Sequence, residues 1–164
     1  MVEIRPVSYA DILDAPNAEE LIRSYASECS VPNAEPQPEI YAAMESAGAL
    51  KCFGAYVDDR LVGFVSVLTA IVPHDGHRVA VQESLFVSPA YRRTGAGQKL
   101  LEAAKKYAVE LDCMAFQSSA RIGSRLDKVL SREANCQLTH HMYTFWLQGQ
   151  KKLPEIVSVE EGEL

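Results

Sequence analysis

The sequence has 164 residues, 48% apolar and 23% charged, close to ordinary globular usage and about the length of one domain. These values exclude a disordered tail, a collagen-like chain and a disulfide miniprotein, and no run approaches the roughly 18 apolar residues of a membrane helix. Sixteen basic against twenty-two acidic residues, a net charge of −6, argue against general affinity for nucleic acid.

The opening MVEIRPVSYADI has an acid at its third position and no apolar run, so no secretory signal is read there and a cytoplasmic setting is expected. Cys29, Cys52, Cys113 and Cys136 are widely spaced with no C-x-x-C, and read as free thiols in a reducing compartment. Weak alternation over 2–7 predicts a first strand. Asn17 and Glu20 form a capping-box pattern ahead of Leu21, Ile22, Tyr25, Ala26 and Cys29, whose spacing predicts a helix over 17–29. Pro32, Pro36 and Pro38 make 31–38 a loop, and a second helix over 38–47 is expected to stop at Gly48.

Strands over 51–57 and 61–72 flank Asp58-Asp59-Arg60, a hairpin signal. After a turn at 73–77 comes a strand over 78–87, closed by Pro89. Gly95 and Gly97 then open a helix over 97–111 with the apolar stripe Leu100, Leu101, Ala104, Tyr107, Ala108 and Leu111. A short strand over 114–118 follows. Next are a helix over 124–133 with Leu126, Val129 and Leu130 inward, and a last strand over 137–147. A single domain of 1–150 is expected, then an acidic tail over 151–164. The order of elements predicts an α+β (mixed α/β) fold: a mixed, largely antiparallel sheet with helices on both faces.

Chemistry concentrates after the 78–87 strand, in Ser88-Pro89-Ala90-Tyr91-Arg92-Arg93-Thr94-Gly95-Ala96-Gly97-Gln98-Lys99. Glycine lets a bulky anion approach the main chain, and the first amides of a helix attract phosphate. Arg92, Arg93, Lys99, Lys105 and Lys106 gather positive charge there in an otherwise acidic chain. A diphosphate is the simplest ligand. The spacing is neither that of a P-loop, since Gln98 follows Gly97, nor that of a dinucleotide fingerprint, since position 100 is leucine.

Arg92-Arg93-Thr94-Gly95-Ala96-Gly97 fits the Q/R-x-x-G-x-G/A signature of the GCN5-related N-acetyltransferases, and Leu85-Phe86-Val87-Ser88-Pro89-Ala90-Tyr91 is similar to that family's approach strand and loop. Over about residues 2–147 the order of elements also resembles the family's. The resemblance implies direct acetyl transfer from acetyl-CoA to an amine acceptor, with no covalent enzyme intermediate. It implies a pyrophosphate held by amides of Arg93, Thr94, Gly95, Ala96 and Gly97 beside the Arg92 side chain, with Gln98 and Lys99 in the first helical turn. The pantetheine arm would lie along Leu85, Phe86 and Val87, and the Val87 amide would polarise the thioester carbonyl.

An amine of pKa about 10.4 is neutral roughly once in 2,500 molecules at pH 7, so a proton must leave before or during attack. Glu83 is the candidate base: strict alternation puts it in phase with Val79, Val81, Leu85 and Val87, the alternative being a bulge in the strand that turns its carboxylate to solvent. Family members often carry an asparagine and, seven residues on, a tyrosine acid; here Ser124 and Ser131 stand at those places. Ser131 is a poor acid, so water, another phenol such as Tyr143, or no acid at all takes that role. That departure leaves open a non-catalytic acyl-CoA-binding or regulatory module of the same fold. His74 and His77 lack a third ligand nearby, and adjacent His140 and His141 point to opposite sides of a strand, so no metal is expected. The resemblance makes 31–38 and 139–146 the walls of the acceptor groove, with Glu35 and Glu39 favouring a cationic amine. A homodimer is implied by resemblance; no nucleic-acid or membrane partner is expected.

Overall fold

The computed structural model describes residues 1–28 and 36–142, which form two compact units, 1–28 with 36–118 and 119–142. In the first unit the order is β1 (Glu3–Val7), α1 (Tyr9–Leu13), α2 (Ala18–Glu28), α3 (Pro38–Ser46), β2 (Leu50–Val57), β3 (Arg60–Ile71), β4 (Arg78–Val87), a 3-10 turn (Pro89–Tyr91), α4 (Ala96–Glu110) and β5 (Ala115–Gln117). The strands form one sheet in sequence order. The first three pairings are antiparallel, and β4–β5 is parallel because α4 carries the chain back across the sheet. Pro6 is tolerated because β1 is an edge.

Two connections follow directly from residue type. Asp58 and Asp59 both have positive φ, +47° and +61°, as the tight turn between twisted strands demands. Gly48, at φ +69°, ends α3: its N–H donates to Glu45 O and the next N–H, of Ala49, to Met44 O, which satisfies two orphan carbonyls.

The sequence reading missed α1, whose five residues are too short to show a helical period. Its signal is the reciprocal cap: Asp11 N donates to Ser8 Oγ at 3.1 Å and Ser8 N to Asp11 Oδ2 at 2.8 Å. Ser8→Ala is expected to destabilise the protein by about 1 kcal/mol, read as a lower denaturant midpoint with an unchanged slope. The Asn17 side-chain amide reaches Leu61 O at 2.8 Å and so ties the start of α2 to β3.

Alternation on the central strands divides two cores. On one face Ala96, Leu100, Ala104 and Ala108 of α4 pack on Ala55, Val65, Val67, Ala80 and Val87. On the other, Tyr9 and Ile12 of α1 and Leu21 of α2 pack with Leu50, Cys52, Leu61, Phe64 and Phe86, and Tyr41 and Met44 of α3 close over them. Helices therefore cover both faces, as expected. The small residues of α4 bring its axis close to the sheet, and its N-terminus meets the end of β4.

In the second unit α5 spans Arg125–Leu130, shorter than the 124–133 expected. Val129 is exposed rather than inward, and the chain leaves the helix in turns at Arg132 and Glu133. The strand expected over 137–147 is absent from 137–142, where exposed Leu138 and Met142 present no buried face to drive pairing. The rest of that strand, Cys29, Glu35 and most of the 31–38 loop, Tyr143 and the 151–164 tail lie outside the described residues. Among the described residues no helix is long and apolar enough to cross a membrane.

Candidate active site

The site is built where β4 ends and α4 begins. Gly95 caps α4 in the left-handed region, φ +83°, and no side chain bonds to the first turn. The first bond inside the helix is Lys99 N to Gly95 O at 3.0 Å. The N–H groups of Gly95, Ala96, Gly97 and Gln98 therefore have no main-chain acceptor among the described residues. A Cβ built on Gly95 meets nothing within 4 Å, and one on Gly97 meets only Val87 Cγ2, at 3.7 Å. Packing among the described residues explains neither glycine. Open space, unpartnered donors and the positive end of a 15-residue helix together fit a phosphate group.

The cations around this cradle have diverse roles. Arg92 turns inward: Nε donates to Val87 O at 2.9 Å and Nη2 to Glu28 Oε1 at 2.6 Å, with the guanidinium over the Phe86 ring. It fastens the end of β4 to the last residue of α2. Lys99 Nζ donates to Val2 O at 2.8 Å, and Lys106 pairs with Glu110. Arg93 is exposed and, among the described residues, has no ion-pair partner. The Thr94 amide is taken by Tyr91 O at 3.1 Å, and its hydroxyl by the same carbonyl at 2.7 Å. Gln98 donates to Glu102 at 3.1 Å. Of the five amides expected to hold a diphosphate only that of Thr94 is taken, because it closes the turn; the Arg93 N–H, like those of 95–98, has no main-chain acceptor among the described residues.

Beside the cradle runs an open strand edge. β5 pairs only with Val79–Val81 of β4, and beyond Val81 no strand lies on that side among the described residues. Ser88 N donates to Val62 O at 2.9 Å, so alternation turns the main-chain groups of Leu85 and Val87 away from β3. Arg92 takes the Val87 carbonyl, and the Val87 N–H remains on the open side. The Phe86 side chain is buried in the core, so only its main chain is near this edge. An extended amide-bearing chain can add to such an edge as a strand does.

Glu83 departs from the expected phase. Ser66 faces Ser84 while Val67 faces Gln82, so Glu83 is the extra residue of a β-bulge. Its carboxylate is exposed and reaches the α1–α3 side, where Tyr41 Oη donates to Oε1 at 3.0 Å, rather than the apolar set of Leu85 and Val87. Tyr41 stacks on Tyr9 with centroids 3.7 Å apart and planes 11° apart, and Tyr25 meets Phe64 and Phe86 edge-on. Burial, and then the negative charge of Glu83, push the Tyr41 phenol far above its usual range; burial is the main cause that lifts Tyr9 to about 12. Tyr41 was not singled out from the sequence because a contact between positions 41 and 83 leaves no local trace.

The remaining candidates sit elsewhere. Ser124 and Ser131 bracket α5: Ser124 Oγ accepts from Asp127 N at 3.2 Å and Ser131 Oγ donates to Lys128 O at 3.3 Å. Cys52 is buried against Ser66, and burial pushes its thiol up to about 11, which fits a packed thiol rather than a nucleophile. Among the described residues no three His, Cys, Asp or Glu side chains gather as a metal site. A cavity of about 540 Å³ is lined by α2, the start of β3 and the 3-10 turn, Tyr91 included; its walls include none of residues 95–98.

The acetyltransferase (GNAT) family model matches residues 18–123. An aminoglycoside acetyltransferase from an uncultured soil metagenomic sample, solved with sisomicin, is 21% identical with a TM-score of 0.66, over 88% of this chain and 97% of its own. A ribosomal-protein-alanine N-acetyltransferase from Brucella melitensis biovar Abortus 2308 is 20% identical with a TM-score of 0.67, over 89% and 99%. An aminoglycoside N-acetyltransferase solved with CoA is 16% identical with a TM-score of 0.67, over 90% and 95%. No curated protein sequence matches the chain.

Proposed function

Since the chain belongs to the acetyltransferase (GNAT) family, we propose that this N-acetyltransferase moves acetyl from acetyl-CoA directly to an amine, with Glu83 as the proton acceptor. The observation that carries this reading is the juxtaposition of unpartnered amides at Gly95–Gln98 with the open edge of β4 at Leu85 and Val87. Acetyl-CoA supplies an activated acyl thioester. The 95–98 amides and Arg93 would bind its diphosphate, each charge-assisted bond worth about 1.5–3 kcal/mol. The Val87 N–H, fixed because Arg92 and Ser88 hold the following peptide, would donate to the carbonyl oxygen as negative charge builds there.

A strand rise of about 3.3 Å per residue sets Val87 about 13 Å along β4 from Glu83. Glu83 therefore takes the amine proton through water. As the N–C bond forms and the C–S bond breaks, the thiolate leaves and is protonated from water. Much of the barrier reduction comes from holding both reactants together, an effect of up to about 7–11 kcal/mol. Exposed Glu83 and Glu39 favour a cationic acceptor over an anionic one. The dispersed cysteines go with a cytoplasmic setting, and a homodimer remains part of this reading by family likeness.

Thiol release from acetyl-CoA, measured with sisomicin, an alanine-initiated peptide and a lysine peptide as acceptors, tests the proposal. Release that depends on one of these amines is expected. Cofactor binding with no amine-dependent release would overturn it in favour of an acyl-CoA-binding module.

A further inference from the structure

The most organised group of side chains outside the cofactor cradle is the set facing the β4 bulge from α1 and α3. Glu83 is exposed on an unpaired residue of β4, so no packing of its own fixes the carboxylate. A free glutamate side chain gives up about 1.5–2 kcal/mol of rotamer entropy when held in one geometry. Something must hold it if it is to meet a proton in a repeatable position.

We propose that Tyr41 is a positioning residue for Glu83: its hydroxyl pins Oε1 and leaves Oε2 as the oxygen that takes the amine proton. This rests on the reading of Glu83 as proton acceptor. The hydroxyl donates at 3.0 Å, and among the described residues Oε2 has no partner. The Tyr41 ring is itself braced. It stacks on Tyr9, which is 8% exposed, and the Tyr9 N–H donates to Glu45 Oε1 of the same helix α3 at 2.9 Å. Helices α1 and α3 thus form a rigid mount for one phenol oxygen. Because the phenol titrates far above neutrality, it stays a donor throughout the working range and does not compete for the proton. A tie between helix and sheet needs no particular oxygen; a mount for a base does.

The test uses Tyr41→Phe, Glu83→Gln and the double variant in the full chain, with acetyl-CoA and whichever of the three amines gives the fastest thiol release. Phenylalanine keeps the ring and the stack on Tyr9, so folding is preserved. Tyr41→Phe is expected to lower kcat about ten-fold, the scale of one hydrogen bond to a charged group, with KM and Kd for the cofactor unchanged. Combined with Glu83→Gln it should lower kcat no further, because the oxygen it positions no longer accepts a proton. A wild-type kcat for Tyr41→Phe, or losses that multiply in the double variant, would overturn the positioning role while leaving Glu83 as the base. Wild-type turnover of Glu83→Gln, or no thiol release with any amine, would overturn the base itself and this inference with it.

Discussion

Gly97→Glu is expected to weaken coenzyme A binding by about 10²-fold or more, while the free protein becomes as stable as before or slightly more so. The two effects have opposite signs for one physical reason. Residue 97 lies in the first turn of α4, and a Cβ there makes only ordinary contact with Val87, so a side chain fits. A carboxylate at a helix N-terminus is favourable by about 0.3–1 kcal/mol, and replacing a helical glycine adds up to about 1 kcal/mol. The same carboxylate occupies the space assigned to a phosphate and repels it. Loss of about two charge-assisted hydrogen bonds at roughly 1.5–3 kcal/mol each gives the stated fall in affinity. Isothermal titration with coenzyme A and a denaturant midpoint on the free protein read the two signs separately. Gly95→Glu is a poorer choice, since φ +83° adds backbone strain of about 1–2 kcal/mol and mixes folding into the answer.

Glu83→Gln is expected to lower kcat by about 10²-fold or more, the range for removal of a general base, and to leave the cofactor Kd unchanged. Glutamine is nearly isosteric, and its carbonyl oxygen can still accept from Tyr41, so the mount described above stays in place. Only the capacity to take a proton is lost. Steady-state thiol release and a cofactor titration on the same preparation separate turnover from binding. Turnover equal to wild type across the pH range would remove Glu83 from the mechanism.

The parts of this site that could be read from sequence are those that local rules control. The end of β4, the proline-started turn, the two glycines and the amphipathic α4 are contiguous, and each has a signal within a few residues. The Asp58-Asp59 hairpin and the Gly48 helix stop are legible for the same reason. What alternation could not report is the bulge at Glu83, because a skipped residue is set by the register with Ser66 and Val67, 16 or more residues earlier. The roles of the cations were hidden likewise. Arg92 is engaged by Glu28 and Lys99 by the Val2 carbonyl, partners far away in the chain, so a count of positive charges overstated how many face a phosphate. Thr94 looks like a donor in the motif, yet its amide closes the turn that presents the others.

The most direct measurement is a ¹H–¹⁵N amide spectrum of the protein titrated with coenzyme A. The largest shifts are predicted at Gly95, Ala96, Gly97 and Gln98, with a second set at Leu85 and Val87, and little change at Thr94, whose amide is already bonded. Saturable binding that leaves the 95–98 amides unmoved and shifts residues elsewhere would contradict the assignment of this helix end as the diphosphate cradle.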